Sequence, residues 1–321
     1  MTYLSICSGI EAATVAWEPL GFKPIGFAEI EPFPCELLKQ KYPNVKNYGD
    51  ITKYEKWNAG KFDILVGGTP CQSFSIAGKR GGTDDIRGKL MYSYLGIVGK
   101  YKPQWIIWEN VPGVLSSGKG LDFASFLGGL EECGYGWAYR VLDAQYFGVS
   151  QRRRRVFVVG HSDNRTDLAA KVLFEPEEPR IYFEASEGKG EEIAGTLTTG
   201  FGARGFDCDT ILNNQFAVES YTQSSFAQYK EGVGTLRASG GDFGGGSETI
   251  IKEGRSIRRL TPLECERLQG FPDNYTQIEW KGKPKDQCPD SHRYKAIGNS
   301  MAVPVMQWIG ERIKKVQGEI K

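Results

Sequence analysis

Histidine is nearly absent from the 321 residues, which hold only His161 and His292. The seven cysteines are scattered, odd in number, and contain no CxxC pair. So few imidazoles and no paired thiols encode no zinc site, and the cysteine pattern encodes no disulfide framework. Reduced thiols and a cytoplasmic location are therefore expected. The N-terminal MTYLSICSGIEAA lacks the basic start and unbroken apolar core of a secretory signal, and no apolar run approaches membrane-spanning length. Excess charge is missing too. With 40 Lys and Arg against 39 Asp and Glu, the formal net charge is +1, and no strongly basic footprint announces a nucleic-acid binder. Finally, no GxGxxG fingerprint opens the first strand-to-helix turn, LSICSGIEAA, which counts against a nicotinamide-dependent oxidoreductase, the plain guess for an α/β chain.

What is present is an ordinary globular composition, 40% hydrophobic and 25% charged, in a length that suits one large domain and a smaller one. Positive charge is concentrated locally in QRRRRVFVVG, residues 151–160, where four arginines lead into an apolar run. Charge runs are usually solvated surface, but arginines that open a buried strand are harder to assign there.

Up to about residue 160, short apolar runs alternate with longer amphipathic ones. YLSIC precedes IEAATVAWEPLG, KPIGFAEI precedes PFPCELLKQKY, DILVGG precedes LMYSYLGIVGKY, and QWIIWEN precedes LDFASFLGGLEEC; GWAYRVLDA and RVFVVGH are two further strands. Strand then helix, repeated, predicts a doubly wound, mostly parallel sheet. Residues 186–250 differ, being rich in Gly, Ser, Thr and Asn, and contain two loosely similar segments that begin with GTL and carry Arg204 and Arg237. This predicts a second, loop-dominated unit. Helical patterning returns at TPLECERLQGF, with Thr261 as N-cap and Pro262 at the first helical position, and again in VPVMQWIGERIKKV.

DILVGGTPCQSFSIAG, residues 63–78, raises the chemical question. A strand buried on both faces ends in two glycines, and Pro70-Cys71 follows at its carboxyl end, where open α/β sheets keep their chemistry. A lone cysteine there is more often a structural thiol. Three other motifs change the balance: Glu109-Asn110-Val111 at the end of an apolar run, Gln151, Arg153 and Arg155 at alternate positions, and Gly298-Asn299-Ser300 near the end.

With these four motifs in this order, the sequence resembles the DNA cytosine-5 methyltransferases of bacteria and phages over nearly the whole chain outside residues 175–250. The resemblance implies a Rossmann-like catalytic domain over residues 1–175, a target-recognition domain over 176–288, and a C-terminal segment, 289–321, that returns to the first. It implies S-adenosylmethionine as cofactor, double-stranded DNA as partner, a monomer, and a cognate restriction endonuclease as a second partner in some systems. Cys71 takes the place of the nucleophile that adds to cytosine C6. A free thiol is only ~3% ionised at pH 7, so such a site must favour thiolate or remove its proton. Glu109 takes the place of the acid at N3, and Arg153 and Arg155 those of the arginines at the O2 edge.

On the cofactor side, LSICSGIEAA occupies the place of the family's glycine-rich turn but keeps only Gly9 of its glycines. The implied donor contacts are Cys7, Ser8, Gly9 and Ile10 in that turn, Glu29 and Ile30 after the second strand, Asp50 and Ile51 at the adenine, and Pro70, Leu90, Asn299 and Ser300. On the DNA side they are Gln72, Ser75, Lys79, Arg80 and Arg87 around a glycine-rich loop that suits base flipping, with Arg204 and Arg237 as base readers. The alternatives are a tRNA cytosine methyltransferase on the same scaffold, whose short Cys-Phe-Thr signature is not found here, and a catalytically silent DNA-binding relative.

Overall fold

The apolar runs become β1 (Thr2–Ile6), β2 (Lys23–Ala28), β3 (Ile64–Gly67), β4 (Trp105–Asn110), β5 (Gly136–Asp143) and β6 (Arg154–His161). The computed structural model describes residues 1–69, 86–174, 219–223, 229–231, 249–253 and 256–320. The six strands form one sheet in the order β2-β1-β3-β4-β6-β5, with β6 antiparallel to both neighbours and the other pairings parallel. Between them lie α1 (Ala12–Trp17), α2 (Pro32–Lys41), α3 (Ile86–Tyr101) and α4 (Leu121–Glu132), and α5 (Thr166–Leu173) follows β6.

Alternation along each strand divides the core. Tyr3, Val66, Ile107 and Phe157 face one cluster, while Leu4, Leu65, Ile106 and Val158 face another. Both faces of the sheet are covered, which is why its strands read as continuous apolar runs. The chain returns through α6 (Pro262–Gln269), α7 (Asp290–Asn299) and α8 (Val303–Ile320). Thr261 and Glu264 form a reciprocal capping box at the start of α6, as the Thr-Pro signal suggested. α8 docks on α1: Trp17 Nε1 donates to the Met306 carbonyl at 2.7 Å, and any Cβ on Gly310 would lie 2.5 Å from that same nitrogen. Glycine is needed there because the indole occupies the space.

Leu260, Phe271, Tyr275, Ile278, Trp280 and Cys288, assigned from sequence to the recognition unit, belong to the same core cluster as Tyr3 and Trp17. Packing therefore places no boundary at residue 288. In and just after the glycine-rich interval, β7 (Glu219–Gln223), β8 (Tyr229–Glu231), β9 (Thr249–Glu253) and β10 (Ser256–Arg259) form an antiparallel sheet in the order β10-β9-β7-β8. The interval read as loop-dominated thus contains paired strands. Of the two GTL segments, the first lies outside the described residues and only Thr249–Ile251 of the second lies within them. Among the described residues no helix is long and apolar enough to cross a membrane.

Candidate active site

β3 and β4 run parallel, Gly67 beside Trp108, so the turn leaving β3 lies against the end of β4. Three consecutive β4 side chains or backbones meet it. Trp108 Nε1 donates to Thr69 Oγ1 at 3.1 Å, and Asn110 Nδ2 donates to the Thr69 carbonyl at 3.0 Å. Between them, a Cβ on Gly68 would lie 2.7 Å from both the Glu109 carbonyl oxygen and its Oε2. Gly68 is thus a functional position that sequence reading took only as strand punctuation; its signal was the second glycine directly before Thr-Pro-Cys. Thr69 is the last described residue on this side. Pro70, Cys71, Gln72, Ser75, Lys79 and Arg80 lie outside the described residues, as do Arg204, Arg237 and the side chain of Arg87.

Glu109 sits opposite Phe157 on antiparallel β6, and Arg155, two residues away, shares its face as a diagonal neighbour. Arg155 Nε lies 3.1 Å from Glu109 Oε1, with the two side chains 15% and 14% exposed. Burial pushes the Glu109 carboxyl up despite the opposing charges of Arg155 and Arg153. The result is a carboxyl that can hold a proton beside a cation that stabilises its loss.

Arg153 differs from the role expected of it. It is 3% exposed, and its Nη2 donates to the carbonyls of Gly298 (3.1 Å) and Ser300 (2.6 Å). Gln269 Nε2 donates to Ile297 O and again to Ser300 O, at 2.9 and 3.1 Å. The Ile297 carbonyl also accepts the Ser300 N–H at 3.1 Å, so the two side chains add to the backbone cap at the end of α7. Arg153 therefore joins the Gly298–Ser300 motif to the strand that carries Arg155. Gln151, the first residue of its motif, is fully buried, and neither its amide nitrogen nor its oxygen has a partner among the described residues.

The second half of the site lies where strand order reverses, β2 to one side of β1 and β3 to the other, the place where open sheets bind ligands. After β1 the chain turns through Cys7, Gly9 and Glu11, all with positive φ. Glu29, just past β2, accepts from Gly9 N–H through Oε2 and from the N–H groups of Ile30 and Glu31 through Oε1, each at 2.7 Å. Three of a carboxylate's roughly four acceptor sites are taken by backbone, which fixes its direction and leaves room for a hydroxyl. Ile30 beside it is 68% exposed, an apolar surface next to an anion. A Cβ on Gly9 would meet nothing within 4 Å, so the turn faces open space. Asp50 Oδ1 accepts both Thr52 N–H and Thr52 Oγ1–H, bonds that hold the carboxyl below its usual range and start a short 3-10 helix.

These residues fit a nucleoside with ribose hydroxyls and a base that offers an apolar ring face: Glu29, Gly9, Ile30 and Asp50 supply acceptor, turn, platform and second carboxylate. Leu90 is half-buried at the start of α3's described side chains, and Asn299 is exposed at the end of α7. Burial and the charges of Glu29 and Asp50 push the Cys7 thiol up to about 12, so it is neutral. Packing commits the side chains of four implied contacts elsewhere. The Ser8 hydroxyl is committed to Ser5 O and Ala28 N–H, stitching β1 to β2. Ile10 and Ile51 are 0% and 4% exposed within the two core clusters, so their side chains build the scaffold rather than the pocket. Ser300 is likewise buried, and its carbonyl is the acceptor already described.

Strand order alone admits many cofactors, but a turn braced by Glu29 in place of GxGxxG, one end of a site whose other end is an acid–arginine pair, is the layout of a Rossmann-like methyltransferase. The sequence profile described as C-5 cytosine-specific DNA methylase matches residues 1–315, and the chain belongs to that family. Members of the family take their methyl group from S-adenosylmethionine. The chain is 36% identical to a protein of Escherichia phage P1 named DNA N-6-adenine-methyltransferase, over 98% of this chain, and spans 61% of that protein's length. It is 30% identical to Type II methyltransferase M.HpaII of Haemophilus parainfluenzae, over 99% of this chain and 90% of that one. In fold it resembles the S. pombe Dnmt2 methyltransferase at a TM-score of 0.67, with 18% identity, covering 98% of this chain and 99% of the other.

Proposed function

We propose that the chain methylates C5 of a cytosine turned out of a specific duplex DNA sequence, through a covalent bond between Cys71 and C6. The observation that carries this is the Glu109–Arg155 pair, fixed at 3.1 Å against the Gly68–Thr69 turn that leads into Pro70-Cys71. S-adenosylmethionine, held by Glu29, Gly9, Ile30 and Asp50, supplies an electrophilic methyl group on a sulfonium. The chain's own residues do the rest. The Cys71 thiolate adds to C6, and the displaced ring electrons make C5 nucleophilic as Glu109 delivers its proton to N3. Arg155 stabilises the carboxylate that remains. As C5 bonds to the methyl group the methyl–sulfur bond would break, its electrons leaving on the sulfur as a neutral thioether; transfer of the C5 proton to solvent then expels the Cys71 thiolate and restores the ring, with N3 returning its proton to Glu109. Within residues 176–288, the part that precedes Leu260 is read as the target-recognition region, with Arg204 and Arg237 contacting bases, and a monomer acting in the cytoplasm, alone or beside a restriction endonuclease, completes the reading.

A second reading comes from the name of the phage P1 relative, which specifies N6 of adenine. Attack by an exocyclic amine on the sulfonium needs neither a thiol adduct nor a proton at a ring nitrogen, so it gives Cys71 and Glu109 no work. The test is trapping on duplex DNA that contains 5-fluorocytosine, where fluorine cannot leave as a proton does. A covalent complex lost in Cys71→Ala is expected. No trapping, or trapping that survives in Cys71→Ala, overturns the assignment, and methylation of tRNA in preference to duplex DNA overturns the substrate.

A further inference from the structure

The turn after β1 contains a residue that the reaction does not use. Glu11 has φ 64, in the left-handed region that costs a residue with a Cβ, and its side chain is 0% exposed. The carboxyl accepts from Ser5 Oγ on β1 and from both the N–H and the hydroxyl of Thr14 in α1. Thr14 Oγ1 in turn lies 2.6 Å from the Tyr3 hydroxyl. One side chain thereby caps α1 and ties it to β1. The residues spanned by that tie, Cys7 to Ile10, include the Gly9 N–H that donates to Glu29. From the other side, the Tyr275 hydroxyl donates to the Ile10 carbonyl at 2.9 Å.

We propose that Glu11 is a positioning residue for the methyl donor: bonded to Ser5 and Thr14, its carboxyl holds the Cys7–Glu11 turn in the shape that sets Gly9 and Glu29 against the donor's ribose. This rests on the reading that the turn binds S-adenosylmethionine. A residue that needs a left-handed backbone, and lacks glycine's freedom, is held there by three donors on two elements.

The charge state of the carboxyl follows from its surroundings. The titratable groups that face it are Tyr3 on β1, Tyr42 after α2, and Tyr275, whose phenols burial pushes far up, so all three stay neutral. Burial pushes Glu11 itself up to about 7, against the pull of Ser5 and Thr14. A carboxyl released into solvent by an opened turn would titrate in the ordinary carboxylate range, so the raised value means that the closed turn favours the protonated form and loosens as pH rises through about 7.

Titration calorimetry of the full chain with S-adenosylmethionine at several pH values tests this, together with KM and kcat for the donor. Wild type is expected to bind less tightly at about pH 8 than at about pH 6. Glu11→Gln, whose amide nitrogen accepts no hydrogen bond, should bind roughly tenfold more weakly than wild type at the lower pH and respond little to pH. The ligand's own titration is common to both. The loss should appear in KM rather than in kcat at saturating donor, because the turn touches no reacting atom. Ser5→Ala, which removes one donor and keeps the carboxylate, should weaken binding less and retain the pH response. Wild-type affinity and pH response in folded Glu11→Gln overturn the proposal; if that variant does not fold, unchanged affinity in Ser5→Ala does so. A wild type that binds no S-adenosylmethionine overturns the reading underneath and the proposal with it.

Discussion

Glu11 and Glu109 are the same side chain in two dry environments, one after β1 and one at the end of β4. Burial raises both carboxyls. Glu11 is met by hydroxyls and an N–H, whereas Glu109 is met by the guanidinium of Arg155, with Arg153 also acting on it. Neutral donors bonded to a carboxylate organise backbone around it. A cation beside a buried carboxyl instead opposes the burial that favours the neutral form, and so stabilises the carboxylate that a proton donor to N3 would leave behind. The neighbours decide the role.

The comparison breaks most visibly at Glu109. Glu109→Gln keeps the shape and removes the titrating group, so single-turnover methyl transfer should fall by roughly 10²–10⁴-fold while S-adenosylmethionine binding is kept. Near-normal transfer would remove the distinction between the two carboxyls. Gly68→Ala comes next. Its methyl group would lie 2.7 Å from the Glu109 carboxyl and carbonyl, and displacing either moves the acid relative to the Cys71 turn. A loss of about a hundredfold in kcat is expected from a misplacement on that scale; an unaffected rate would show that the close approach has no catalytic meaning.

Arg155→Ala sharpens the account through pH. Arg155 pulls the Glu109 carboxyl down, so its removal lets the carboxyl rise further. If the protonated acid is the active form, the alkaline limb of kcat/KM should then move to higher pH, with a lower plateau. A limb that moves down, or stays in place, contradicts the pairing. The smallest effect is expected at Asp50, whose Oδ1 starts the 3-10 helix Ile51–Lys56. Asp50→Ala should cost ~1 kcal/mol of stability as a lost cap and weaken donor binding, with DNA affinity in the absence of donor unchanged. Weakened DNA binding with intact donor binding would misplace the residue.

The sheet was legible because its inner strands are buried on both faces and therefore read as apolar runs ended by a turn signal. The Glu109–Arg155 pair was legible because its motifs stand at the end of one apolar run and the start of another, which become β4 and β6; Gln151 and Arg153 precede β6 rather than sharing its face. The contacts of Arg153 were not, since they reach across 145 and 147 residues to Gly298 and Ser300. Tyr275 bonding to Ile10 across 265 residues was equally hidden. Glu11 read as a departure from a glycine-rich turn, because the sequence shows the residue and not the Ser5 and Thr14 donors that accommodate it. Ile10 and Ile51 were carried over as donor contacts by position in a motif, whereas their side chains obey the apolar pattern and enter the core. Gly68 was indistinguishable from an ordinary strand-ending glycine until the Glu109 carboxyl was seen where its Cβ would be.

The central claim is that the Glu109–Arg155 pair serves ring chemistry at a cytosine, and the product states this most directly. Duplex DNA methylated in vitro by the purified chain with isotopically labelled S-adenosylmethionine, digested to nucleosides and analysed by mass spectrometry, should carry the label in 5-methylcytosine and lose it in Cys71→Ala and Glu109→Gln alike. Label in N6-methyladenine that is indifferent to both substitutions would contradict the account.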